Sequence, residues 1–140
     1  MVEVAGRRWA CDSVDVREVM PALPATRIPG APHFVRGLVN VRGAVLPVVD
    51  LAARLADEEG APGARADQEA EPTLVLAQVD GRRLALLVDD VHDVRSVTLH
   101  DLDGAAGDFG AGRIVRGVGR MGDEVVGVID VAALVRETLV

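Results

Sequence analysis

The sequence predicts an all-β fold of two small barrel lobes related by an internal repeat, with short terminal helices. Part of that reading comes from composition, part from closely spaced turn signals, and most from the repeat itself. The chain is 49% hydrophobic but only 2% aromatic, so valine, leucine, alanine and isoleucine must fill the core. Valine's branched Cβ favours pleated backbone, which leans the chain towards strands. The repeat is visible when "RGLVNVRGAVLPVVDLAARL" (36–55) is set over "RGVGRMGDEVVGVIDVAALV" (116–135), a shift of 80. Arg-Gly opens both copies, Val45 meets Val125, Val48 meets Val128, Asp50 meets Asp130, and an Ala-Ala pair follows in each. Upstream, "GRRWACDSVDVREV" (6–19) aligns with "GRRLALLVDDVHDV" (81–94) at a shift of 75. Two collinear matches with nearly equal shifts describe two versions of one unit.

Each unit reads the same way from its first residue to its last. "GRR" between apolar runs marks a first hairpin, and "TLVLAQVDGRRLALLVDDV" (73–91) is the clearest hairpin of the chain. Residues 20–33, "MPALPATRIPGAPH", hold four prolines and predict a fixed loop crossing between hairpins. Arg42-Gly43 and Gly122-Asp123 fall at matching places between short apolar runs, where tight hairpin turns are expected. "VLPVVD" and "VVGVID" read as buried strands, with Pro47 suggesting a sheet edge or a bulge. Asp50 and Asp130 then precede Leu/Val-Ala-Ala as helix N-caps. Residues 101–112, "DLDGAAGDFGAG", take the place of the proline loop in the second unit. The expected organisation is one domain over 1–140: lobe one about 1–55, an acidic linker 56–72, and lobe two about 73–140, with terminal strands able to cross between lobes.

The net charge is −7, but residues 56–72 alone carry six acids against one arginine. Outside that segment the chain is near neutral, which leaves no basic footprint for nucleic acid and no polybasic patch for a membrane. All 15 cationic side chains are arginine. A single cysteine, Cys11, excludes an intramolecular disulfide framework. No apolar run approaches the roughly 18 residues of a membrane span. The N-terminus lacks the basic start and apolar stretch of a secretory signal. A cytoplasmic protein is expected.

Four clusters invite a chemical reading. "GVGRMG" (117–122) matches the dinucleotide fingerprint letter for letter, yet the residues after it read as a strand where the fingerprint needs a helix. "DDVHDV" (89–94) gathers three acids and a histidine, but without zinc-type ligand spacing it reads as a solvated strand face. "DLDG" (101–104) begins like a calcium loop and lacks the later acidic ligand. Cys11 with His33, His92 or His100 would suit a nucleophile and base, but its repeat counterpart is Leu86, which marks an apolar core position. Trp9, matching Leu84, reads as core. A small Cys- or metal-dependent enzyme is thus the minor alternative.

Asn40 and Arg42 stand out inside an apolar stretch, and the second unit replaces them by Arg120 and Gly122. On an extended segment both point the same way. Arg42 is either a cap on carbonyls of the proline loop or a polar handle presented to a partner.

"IPGAPHFVRGLVNVRGAVLPVVDL" (28–51) resembles the signature of the CheW family of chemotaxis coupling proteins, most specifically through its Asn-x-Arg-Gly block. "VREV" (16–19), "LALLVDDVHDV" (84–94) and "RIVRGVGRMGDEVVGVIDVAALV" (113–135) extend the likeness over essentially the whole chain. The resemblance implies two five-stranded SH3-like barrels and a non-enzymatic adaptor without cofactors. It implies binding to the regulatory domain of a CheA-type histidine kinase and to the cytoplasmic tip of chemoreceptors, hence recruitment to membrane receptor arrays. It places Asn40, Arg42 and Gly43 on the receptor- and kinase-coupling block, Val16 and Glu18 near the receptor-contacting groove, and Gly37 near the kinase-contacting side. A scaffold of a divergent motility or pilus pathway would share all of these features.

Overall fold

The architecture follows from two hairpins that change places. In the computed structural model, residues 1–4, 6–59, 72–92, 98–101, 114–121 and 123–138 are described. Along the chain run β1 (Val2–Val4), β2 (Arg7–Cys11), a single 3-10 turn (Ser13–Asp15), β3 (Val16–Pro21), β4 (Val35–Val41), β5 (Ala44–Asp50) and helix α1 (Leu51–Glu59). The second unit supplies β6 (Thr73–Val79), β7 (Arg82–Val88), β8 (Asp90–Val91), β9 (Thr98–Asp101), β10 (Val115–Met121), β11 (Glu124–Ile129) and helix α2 (Val131–Thr138). The fold is all-β, as expected.

The strands form two sheets, ordered β3-β6-β7-β5-β4 (barrel one) and β8-β1-β2-β11-β10-β9 (barrel two). The acidic segment therefore does not separate the barrels. The hairpin after it, β6–β7, is inserted in barrel one, and the N-terminal hairpin β1–β2 is inserted in barrel two. The registers match residue for residue across the repeat. Val48 of β5 lies parallel to Ala85 of β7, and its counterpart Val128 of β11 lies parallel to Ala10 of β2. Val16 pairs with Ala77, and Val91 with Val2, the same pairing displaced by 75. Because β2 and β7 carry the same apolar pattern, either could satisfy β5. The exchange is a choice that only long-range closure decides.

Several local expectations are met, and their chemistry is visible. Val79 opposes Arg82 across Asp80-Gly81, whose φ values of 52° and 77° belong to a type I′ turn. The backbone N–H of Ala53 donates to Asp50 Oδ1 at 3.3 Å, and that of Ala133 to Asp130 Oδ1 at 3.0 Å, so each aspartate caps its helix. The Asp50 and Asp130 N–H groups bond the carbonyls of Phe34 and Ile114, again equivalent positions. Helix α1 runs on to Glu59, through residues the sequence reading gave to the linker. Pro47 is in β5, an interior strand rather than an edge; it lies just outside the parallel ladder with β7, which begins at Val48. The prolines of 20–33 reduce the crossing segment to one bridge, Thr26 to Leu38, with both hydrogen bonds at 2.8 Å. That bridge ties the segment following β3 to β4 and closes barrel one. In barrel two the four-residue strand β9 pairs with β10 at the matching place, where His100 opposes Val118.

Two smaller cores fill the barrels, and a larger one lies between them. Val39, Val41, Leu46, Leu76 and Ala85 pack inside barrel one, while Ala10, Val126 and Val128 pack inside barrel two. The shared core joins Val4 and Trp9 to Leu84, Leu86, Ile114 and Leu134. Helix α1 lies on β5 and β7, and α2 on β6 and β7. Arg54 of α1 reaches Glu137 of α2 at 2.5 Å and covers the Phe34 ring at 5.4 Å from its centroid. Cys11 is half-buried against this core, and burial pushes its thiol up to about 12.

Gly37 is required by the closure. Its φ of 144° belongs to glycine, and a Cβ there would lie 2.2 Å from the Thr26 carbonyl oxygen. Gly37→Ala should destabilise the protein by about 2–4 kcal/mol, read as a lower urea midpoint; a change within about 0.5 kcal/mol would show that the crossing segment yields. The raised thiol pKa predicts that Cys11 resists alkylation by iodoacetamide at pH 8 while urea-unfolded chains react readily. Since the folded state favours the protonated thiol, its contribution to stability is complete below the unfolded thiol's pKa, about 8.5, and is lost progressively as pH rises towards 12. Equal alkylation rates in folded and unfolded chains would contradict the burial.

Candidate functional site

The β4–β5 hairpin ends in a two-residue loop, with Val41 opposite Ala44. Arg42 and Gly43 both have positive φ, 52° and 85°, the pattern of a type I′ turn. Asparagine, aspartate and glycine suit the first position of such a turn because they tolerate left-handed backbone. Arginine is an unfavourable choice there. Asn40 serves the turn directly: its Oδ1 accepts the Gly43 N–H at 2.9 Å. The amide therefore has a local structural role, and the guanidinium does not share it.

Arg42 reaches instead across to Glu18 of β3. Its Nη1 donates to Glu18 Oε2 at 2.6 Å and its Nη2 to Oε1, a two-pronged contact. This hydrogen-bonded guanidinium holds the Glu18 carboxyl below its ordinary range, so Glu18 stays ionised. The pair spans β3 and the tip of β4, the two terminal strands in the sheet order of barrel one. Solvent screens it, for the Arg42 side chain is 72% exposed, and exposed pairs add little to stability. The proline loop is not where Arg42 bonds. The result is a fixed, outward-facing fork of opposite charges.

The structure thus gathers Glu18, Asn40, Arg42 and Gly43 at one end of barrel one. Val16 begins β3 beside them but turns inward, packing on the shared core, with a register shift between Val16 and Glu18. Gly37 stands apart, at the Thr26 crossing. Two neighbours escaped the sequence reading. Val19 follows Glu18, and Val45 opposes Asn40; they are 46% and 59% exposed. Phase alone gave no signal, since Val49 shares Val45's side of β5 and is buried; Val45 is exposed because it lies next to the turn. A second missed feature is Arg36, whose Nε and Nη2 donate to Asp50 Oδ2 at 3.0 and 2.7 Å. Asp50 is nearly inaccessible and also caps α1, so this pair fixes the far end of β4.

The enzymatic alternatives find little geometry. Residues 117–121 of "GVGRMG" run along β10, Gly122 lies outside the described residues, and the next element is β11 rather than a helix. His92 Nε2 lies 3.0 Å from Glu3 Oε2 as part of the β1–β8 edge, while Asp93 and Val94 are outside the described residues. So is all of "DLDG" beyond Asp101. Among the described residues, no group of three His, Cys, Asp or Glu side chains is placed to hold a metal. No described helix is long and apolar enough to cross a membrane.

Comparison with known proteins agrees with this layout. The CheW-like domain model matches residues 1–139. A chemotaxis protein CheW of Rhizobium meliloti is 38% identical over 99 residues, covering 71% of this chain and 60% of the relative. A probable chemotaxis protein CheW of Rhizobium etli is 38% identical over 95 residues, 57% of its length; the chain thus spans under two thirds of both. The chemotaxis protein CheW of Klebsiella aerogenes is 28% identical over 135 residues, 94% of this chain and 76% of the relative. The crystal structure of the scaffolding protein TtCheW from Thermoanaerobacter tengcongensis superposes with a TM-score of 0.74 at 26% identity, covering 91% and 84% of the two chains. With its duplicated, hairpin-exchanged barrels and its Asn-x-Arg-Gly turn, the chain belongs to the CheW-like domain family.

Proposed function

We propose that this chain is a non-enzymatic adaptor that couples the cytoplasmic tip of a chemoreceptor to the regulatory domain of a CheA-type histidine kinase, and is held at membrane receptor arrays by those contacts. The observation that carries the reading is the Glu18–Arg42 fork. It stabilises the barrel little, it occupies a turn position that arginine does not favour, and the exposed Val45 stands opposite Asn40 beside that turn. Apolar side chains around an anchored arginine are the make-up of a small protein interface, where arginine is a frequent energetic centre. An adaptor needs no tuned pKa and no convergent polar pocket, and reversible signalling contacts are commonly modest in area. In this reading Glu18 holds Arg42 in place, Asn40 and Gly43 hold the turn, and Val16 anchors β3 from beneath. Gly37 acts at a distance by fixing the path of β4.

Arg42→Asn separates the two roles, because Asn-Gly is the preferred pair for this turn. The variant should keep its melting temperature within about 3 °C and weaken binding to at least one partner by roughly tenfold or more. Calorimetric titration with a receptor-tip fragment and, separately, a CheA-type regulatory domain from the same genome measures both. Unchanged affinity for both would overturn the role given to Arg42, and no binding by the wild-type chain to either folded partner would overturn the adaptor reading.

A further inference from the structure

Barrel one has an open mouth at the end opposite the Arg42 turn. Arg36 and Arg42 are six positions apart, which is about 20 Å along an extended strand, so the two places are distinct. The mouth is a groove of about 470 Å³, within the size range of binding clefts. The partly buried Leu87 lines it together with the buried core residues Val48 and Leu74, while Arg27, His33 and Arg36 also border it. Leu23, from the proline loop, adds an apolar wall and is itself 38% exposed.

Two observations point to an occupant. The first is charge. The protein carries a net charge of −7, yet the groove's lining contains two arginines and a histidine and no carboxylate. Arg27 makes no ion pair or side-chain hydrogen bond among the described residues. Arg36 spends only Nε and Nη2 on Asp50 and remains half exposed. The second is the comparison between barrels. The repeat counterpart of Leu87 is Asp12, an exposed residue that caps the 3-10 turn through the Val14 N–H at 3.1 Å. At this position barrel one is apolar where barrel two is polar.

We propose that the mouth of barrel one is a docking pocket for an apolar side chain carried on an acidic peptide segment of a partner protein. Leu23 and Leu87 take the side chain, and Arg27 and the uncommitted edge of Arg36 take the flanking carboxylates. This surface is additional to the Glu18–Arg42 face and does not depend on the adaptor reading.

The test is an amide NMR titration of the full chain with a synthetic peptide, acetyl-Gly-Glu-Glu-Asp-Leu-Glu-Asp-Gly-amide, and with an analogue carrying serine in place of its leucine. Saturable shifts should centre on Leu23, Arg27, Arg36 and Leu87. Arg27→Glu and the serine analogue should each weaken binding by about fivefold or more. Absence of shifts up to several millimolar peptide, shifts scattered over arginines elsewhere, or indifference to either change would overturn the pocket. The chain's own acids are the rival occupant. In the triple variant Asp67→Asn, Glu69→Gln, Glu71→Gln, unchanged peptide affinity supports a partner segment. Affinity raised by more than about threefold, with pocket resonances shifted before any peptide is added, would assign the groove to the chain itself.

Discussion

Each barrel of this molecule is completed by a hairpin from the other half of the sequence. β6–β7 lies between β3 and β5, and β1–β2 lies between β8 and β11. Neither half can close its sheet by itself in this arrangement, and the apolar faces that the exchange leaves between the barrels become one shared core of Trp9, Leu84, Leu86, Ile114 and Leu134. Burial of this kind is the dominant favourable term in folding. Helices α1 and α2, each started by a capping aspartate, are joined by the Arg54–Glu137 pair. The barrels are thereby held as one body, and their outward hairpins become fixed platforms.

Placing the function on those platforms explains why the polar groups of barrel one differ so much in character. Asp50 is buried, doubly bonded by Arg36, and bonded again by the first turn of α1; it fixes backbone. Asn40 fixes a turn through one hydrogen bond to Gly43. Arg42 fixes nothing of comparable value, because its partner Glu18 meets it in solvent. In the proposed reading, a side chain that is oriented and charged but adds little stability is what a partner reads. In barrel two the equivalent hairpin has Arg120 opposite Val125, and Glu124 is met by Arg8 from β2 at 3.3 Å. The shared architecture thus carries a different polar surface on each barrel.

The repeat made most of the fold legible. Shifts of 75 and 80 identified equivalent strands, the tight turns at Asp80-Gly81 and Arg42-Gly43 and both helix caps, and the resulting registers match residue by residue. That terminal strands could cross between lobes was expected, but which hairpins exchange was not legible, for the same reason that the repeat was. Val48 finds an alanine flanked by apolar residues whether it pairs with β2 or with β7, so local pattern is degenerate and only global closure discriminates. At the site, Asn40 and Arg42 declared themselves as polar residues in an apolar run. Their division of labour did not, since it depends on a turn with positive φ and on Glu18, 24 positions away, arriving through barrel closure. Gly37 gave a glycine in a strand but no hint that the Thr26 carbonyl fills the space of its missing Cβ.

The most direct measurement of the central claim, that Arg42 is kept for partners and not for the barrel, is binding by the charge-exchanged double variant Glu18→Arg, Arg42→Glu. The fork would be rebuilt with its signs reversed, leaving the turn and barrel closure as they are. The account predicts a folded protein of near wild-type melting temperature whose affinity for the receptor tip or the kinase regulatory domain is lost. Full affinity in that double variant, with loss in each single change, would contradict it. The pair would then act only by holding β3 to the β4–β5 turn.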